Sequence, residues 1–125
     1  MPLITLLIID DDPMACRIFK KILGEEGYSI LTATDAVKGL RLIKEKSPEI
    51  VFLDIKMPRI DGIELLRRIR KINQDVTVIM LTGFATLDTA RKAMELGAHD
   101  YVTKPFDLEA IKASIRDALE ANASD

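Results

Sequence analysis

The chain has 125 residues, 48% hydrophobic and 30% charged, which fits one globular domain with enough apolar material for a core. No apolar run approaches the roughly 20 residues needed to span a bilayer, and a single cysteine, Cys16, rules out an internal disulfide. A formal net charge of -2, no Trp and few aromatics argue against a nucleic-acid surface.

The N-terminal stretch Met1-Pro2-Leu3-Ile4-Thr5 has no basic region and leads directly into a strand pattern, so a cytoplasmic protein without a secretory signal is expected. Leu3 to Ile9 reads as a buried strand that ends in Asp10-Asp11-Asp12. Pro13 suits the first turn of a helix and Asp12 its N-cap. Ala15, Ile18, Phe19, Ile22 and Leu23 recur at helical spacing, so the helix is expected to run to about Glu26 and to end at Gly27. Tyr28 to Thr32 reads as a second strand. Thr34 or Asp35 then caps a helix that runs to about Lys46, where Ser47-Pro48 stops it. Ile50 to Leu53 is a third strand, apolar throughout, and it delivers Asp54 at its end. Met57-Pro58 and Asp61-Gly62 mark the loop that follows.

Gly62 opens a helix with Ile63, Leu65, Leu66, Ile69 and Ile72 inward. Val76 to Leu81 reads as a fourth strand closing at Thr82-Gly83, and a helix from about Thr86 to Leu96 ends at Gly97. Tyr101-Val102 is a short fifth strand followed by Thr103-Lys104-Pro105-Phe106. A last helix spans about Leu108 to Leu119, and residues 121–125 read as a frayed tail outside the domain at 1–120. Strand and helix thus alternate five times, which implies an α/β fold: a doubly wound (βα)5 unit with a five-stranded parallel sheet.

Parallel strands bring their ends to one edge. That edge collects Asp10, Asp11 and Asp12 from the first strand, Asp54 from the third, Thr82 from the fourth and Lys104 from the fifth. Ligands bind at this edge in open α/β sheets. Crowded carboxylates repel unless a cation intervenes, and oxygen donors without His or Cys suit Mg²⁺, which takes one or two carboxylates and leaves room for phosphate oxygens. Lys104 can pair with a phosphate oxygen, the Thr82 hydroxyl can donate to another, and Asp54 is the candidate nucleophile. Asp12 is better explained as a plain cap. His99 reads as structural and Cys16 as a bystander beside the apolar stripe of its helix.

These residues resemble a known family. The chain is similar, over almost its full length, to the receiver domain of two-component response regulators. The likeness rests on Ile8-Ile9-Asp10-Asp11-Asp12, on Leu53-Asp54-Ile55-Lys56-Met57-Pro58 with Asp61-Gly62, on Leu81-Thr82-Gly83, and on Gly97-Ala98 leading to Tyr101-Val102-Thr103-Lys104-Pro105-Phe106. The resemblance favours the flavodoxin-like strand order 2-1-3-4-5. It implies that Asp54 is phosphorylated by a histidine kinase or histidine phosphotransferase. It also implies that Asp11, Asp54 and the Lys56 carbonyl ligate Mg²⁺, with Asp10 acting through water. Thr82 and Lys104 bind phosphoryl oxygens, and Tyr101 changes rotamer when Thr82 moves. Lys56 and Phe84 lie where side chains screen an acyl phosphate from water, so both are expected to influence its lifetime.

A signalling switch is the resulting expectation, self-catalysing its own phosphorylation without being a turnover enzyme. The face formed by the fourth helix, fifth strand and fifth helix carries Arg91, Lys92, Glu95, Lys112, Arg116 and Asp117; mixed charge of this kind usually marks a solvated face, and the alternative is a dimer or partner surface that phosphorylation reshapes. Neither direct nucleic-acid binding nor membrane contact is expected. A phosphatase with an aspartyl-phosphate intermediate is the competing enzyme reading, but it carries a second Asp two residues after the nucleophile, where this chain has Lys56. A pure interaction module with a dead site is disfavoured by intact Asp11, Asp54, Thr82 and Lys104.

Overall fold

Continuous apolar runs become the strands of the sheet because both sheet faces are covered. The structure is a computed structural model and describes residues 3–54, 56–57, 60–82, 87–103 and 107–123. Its elements are β1 (Thr5–Ile9), α1 (Pro13–Glu25), β2 (Ser29–Ala33), α2 (Ala36–Lys46), β3 (Ile50–Asp54), β4 (Lys56–Met57), β5 (Ile60–Asp61), α3 (Gly62–Ile72), β6 (Thr77–Thr82), α4 (Leu87–Glu95), β7 (Asp100–Thr103) and α5 (Leu108–Ala123). The main sheet is five-stranded and parallel, ordered β2-β1-β3-β6-β7. Counting only its own strands, that is the expected order 2-1-3-4-5.

Successive side chains of each strand feed opposite layers. Leu7, Ile9, Val51 and Leu53 pack with Ile43 of α2, with Ile63, Leu66 and Ile69 of α3, and with Ala93 of α4. Leu6, Ile8, Ile50 and Phe52 pack with Phe19 and Leu23 of α1 and with Ile111 and Ile115 of α5. The Phe19 and Phe52 rings lie 6.0 Å apart between centroids. Each fully buried Leu, Ile or Phe contributes about 1.5–3 kcal/mol. A one-residue slip of β1 or β3 would exchange the side chains of the two layers.

Four described helix starts share one feature. Asp12 accepts from the Met14 amide (3.0 Å), Asp35 from Lys38 (2.8 Å), Asp61 from Ile63 (2.8 Å) and Asp107 from Glu109 (3.0 Å). Each such cap contributes on the order of 1 kcal/mol. All four helices begin at the carboxyl edge of the parallel sheet, so all four caps gather there.

The structure also departs from expectation in places. Lys56–Met57 and Ile60–Asp61 form a small antiparallel ladder, Lys56 opposite Asp61 and Met57 opposite Ile60, where a plain loop was expected. β7 is longer than Tyr101-Val102, because pairing with Ile79–Thr82 recruits Asp100 and Thr103 on either side. α5 continues to Ala123 rather than stopping at Leu119, so helix covers much of the stretch expected to fray. Its alanines are strong helix formers. The end of α2 falls where it was expected: the helix closes on Ser47, whose left-handed backbone (φ 46°) ends it while its amide still reaches the Ile43 carbonyl.

Candidate functional site

β1 and β3 are neighbours, with Ile9 opposite Leu53. The residues that follow in each chain segment therefore emerge side by side. The Asp10 amide adds one rung to the ladder by donating to the Ala33 carbonyl (3.0 Å), which holds Asp10 in the sheet plane. Its carboxylate turns back to accept the Asp12 amide (3.0 Å). Asp54 is the last residue of β3, paired with Leu81 of β6.

Asp10 and Asp54 are buried, 1% and 4% exposed, while Asp11 is exposed. Each of the three offers one carboxylate oxygen, and those oxygens lie within 4.8 Å of one another. Charges that close repel by roughly 1–4 kcal/mol per pair, the range running from bulk water to an effective dielectric near 20. A dication relieves that repulsion. The donors are hard oxygens, partly buried and partly open to water, which matches Mg²⁺ better than a soft metal.

Cys16 sits beneath this cluster in the first turns of α1. Its thiol points to the Asp10 carbonyl (3.4 Å) and more distantly to that of Ala33 (4.0 Å). Burial, together with the charge of Asp10, pushes the thiol pKa up. The group therefore stays protonated near neutral pH and does not compete as a thiolate ligand. Cys16 thus packs against the backbone that carries the site, a closer relation than the expected bystander.

The other expected site residues fall as follows. Thr82 ends β6, opposite Thr103 of β7, so its backbone reaches the same edge. Lys56 stands in β4, two residues beyond Asp54. Tyr101 lies in β7, half-buried against the layer that holds α3 and α4. Lys104 and Phe84 lie outside the described residues, as do the side chains of Thr82 and Lys56. His99 has a structural role, as expected: its amide donates to the Val78 carbonyl (2.8 Å) and its Nε2 lies 2.9 Å from Asp117 Oδ2 on α5. A second tie joins α5 to the next residue, from Ser114 Oγ to Asp100 Oδ2 in β7 (2.8 Å).

Sequence reasoning missed Arg70. It reads as one more cation on the polar side of α3, yet its guanidinium is half-buried and serves the carbonyls of Val76 and Gly97 (2.7 Å each) and Leu96 (3.2 Å). The one available signal was its place in the last helical turn, where a cation faces the negative end of the helix dipole.

Comparison with known proteins places these features in context. The family model for the response regulator receiver domain matches residues 6–116. Sporulation initiation phosphotransferase F of Bacillus subtilis is 32% identical over 91% of this chain and 92% of its own length. The transcriptional regulatory protein ZraR of Klebsiella oxytoca is 34% identical over 93% of this chain, which spans only 26% of that longer protein. Among solved structures, a CheY-like response regulator receiver domain protein from Methanospirillum hungatei superposes with a TM-score of 0.94 at 32% identity, covering 98% of both chains.

Proposed function

The chain belongs to the response regulator receiver domain family, a regulatory domain of two-component systems, and on that premise we propose that Asp54 is its phosphoacceptor. The observation that carries this reading is the convergence of Asp10, Asp11 and Asp54 within 4.8 Å at the ends of adjacent parallel strands. Receiver domains of this family interact with histidine kinases or histidine phosphotransferases, and such a partner is the proposed donor.

In the proposed step an Asp54 carboxylate oxygen attacks the phosphorus of a phosphohistidine. The new P–O bond forms as the P–N bond breaks, and the imidazole nitrogen leaves with the electron pair and takes up a proton. Lys104 would hold one phosphoryl oxygen and the Thr82 hydroxyl would donate to another. Asp11, Asp54 and the Lys56 carbonyl would hold Mg²⁺, with Asp10 acting through water. When bound, the ion neutralises charge on the carboxylates and on the transferring group. Asp10 is kept aligned by its rung to Ala33 and its bond from the Asp12 amide.

The phosphoryl group adds about -1.5 to -2 charge at neutral pH and would draw the Thr82 hydroxyl toward Asp54. Tyr101 would then turn into the space released. Moving a two-state switch from 1:99 to 99:1 takes about 5.5 kcal/mol. Two or three charge-assisted hydrogen bonds at roughly 1.5–3 kcal/mol each are sufficient. The face of α4, β7 and α5 is the proposed output surface, and a homodimer through it is testable as a concentration-dependent mass increase on adding beryllofluoride and Mg²⁺. Among the described residues, no helix is long and apolar enough to cross a membrane; a cytoplasmic site of action is proposed.

Mass spectrometry after treatment with acetyl phosphate and Mg²⁺ tests the assignment. One added HPO₃ is expected in the wild type and none in Asp54→Asn or in the presence of EDTA. Equal labelling of Asp54→Asn would overturn it.

A further inference from the structure

α4 is tied to its neighbours at its C-terminal end. Among its residues with described side chains, the buried ones are Ala90 and Ala93, small groups that interlock little with the sheet, whereas α3 buries Ile63, Leu65, Leu66 and Ile69. The C-terminal end is different. The Arg70 guanidinium donates from Nε to the Leu96 carbonyl (3.2 Å) and from Nη2 to that of Gly97 (2.7 Å), both just beyond the last residue of α4. From Nη1 it donates to Val76 (2.7 Å), ahead of β6, with longer contacts to Asn73 and Gln74 (3.4 and 3.5 Å) at the end of α3.

One planar, permanently charged group therefore ties three segments together: the exit of α3, the entry to β6 and the exit of α4. Further backbone bonds lock the same turn. The Ala98 amide reaches the Ala93 carbonyl (3.0 Å), and the His99 amide reaches Val78 inside β6 (2.8 Å). Gly97 adopts a positive φ of 87°, and a Cβ there would stand 3.2 Å from Arg70 Nε, so the guanidinium occupies the room a side chain would need.

We propose that Arg70 is the positioning residue that makes the C-terminal end of α4 a fixed pivot. Displacement arriving from Thr82 enters α4 at its Leu87 end. With Leu96 and Gly97 held, that displacement becomes a swing of the N-terminal half over the Ala90–Ala93 face. It does not become a slide of the whole helix. The inference rests on the proposed receiver switch and adds to it the direction in which the switch moves.

Amide hydrogen exchange on the full chain, with and without beryllofluoride and Mg²⁺, tests it. In the wild type, activation should change exchange at Leu87–Ala90 at least tenfold and leave Leu96–His99 within twofold. Arg70→Met should speed exchange at Leu96–His99 at least tenfold in both states and spread the activation response through Glu95. Arg70→Lys, a single-point donor that folds more readily, should restore part of that protection. Labelling of Asp54 by acetyl phosphate should stay within twofold in both variants, which separates a pivot from a damaged site. A wild-type response as large at Leu96–His99 as at Leu87–Ala90 overturns the pivot alone. If ¹⁹F NMR shows no beryllofluoride retained by the wild type, the receiver reading falls and the pivot falls with it.

Discussion

Gly24→Ala and Gly39→Ala make the same chemical change inside two helices, and their surroundings give them opposite signs. Replacing a helical Gly by Ala is worth about 0.5–1 kcal/mol in reduced chain entropy and better propensity. At Gly24 in α1 a new Cβ meets no heavy atom within 4 Å, so that gain is kept whole. At Gly39 in α2 the Cβ lands 2.6 Å from Ile9 Cδ1 and 3.0 Å from Cγ1. Ile9 is fully buried, so its side chain can yield only by pushing into its own layer. Overpacking of this kind costs roughly 1–3 kcal/mol. Gly39→Ala should therefore lose about 1 kcal/mol net, and the two variants should differ by about 2 kcal/mol. Urea unfolding followed by circular dichroism reads this as a shift in midpoint at unchanged slope. Thermal unfolding should separate the variants by roughly 6–10 °C, at about 3–5 °C per kcal/mol for a domain of this size. A Gly39→Ala variant as stable as the wild type would refute the claim that Ile9 has no room to move.

Asp12→Ala removes the cap of α1 and should cost about 1 kcal/mol in the same urea assay; an unchanged midpoint would mean the bond to Met14 contributes nothing. Asp11→Asn should weaken Mg²⁺ binding at least tenfold by calorimetric titration, while its urea midpoint stays near wild type because Asp11 is exposed. Cys16 predicts an alkaline limb to stability. Burial and Asp10 raise its folded pKa above the ordinary 9.0, so its contribution is whole below pH 9 and is lost as pH rises through the folded value. Cys16→Ala should flatten the fall in urea midpoint above pH 9 in metal-free buffer, and parallel curves for the two proteins would dismiss the effect.

The fold was legible because its strands are apolar on both faces and its helices carry regular inward stripes. Ile50–Leu53 and Leu6–Ile9 are hard to read as anything but buried strands, and the acids that follow them mark the edge where the site forms. What escaped notice depends on partners distant in sequence. The Lys56–Met57 and Ile60–Asp61 ladder spans two residues a side, too short for a period to register. Asp100 joins β7 because β6 offers a partner, not because its side chain favours a strand. Arg70 looks like its neighbours Arg67, Arg68 and Lys71 until α4 is placed beside it. Only then do carbonyls 26 and 27 positions away turn a surface cation into a tie.

The aspartate caps of α1, α2, α3 and α5 have an effect beyond holding their helices. Asp12, Asp35, Asp61 and Asp107 surround the very edge where Asp10, Asp11 and Asp54 stand, in a chain whose total charge is only -2. A small phosphate-bearing anion drifting in from solution meets this rim as a negative field, which fades over a Debye length of about 8–10 Å at moderate salt. On the proposed function, labelling by a small phosphate donor should therefore quicken as ionic strength rises. Starting four helices at one edge thus also sets the charge that an incoming ligand meets there.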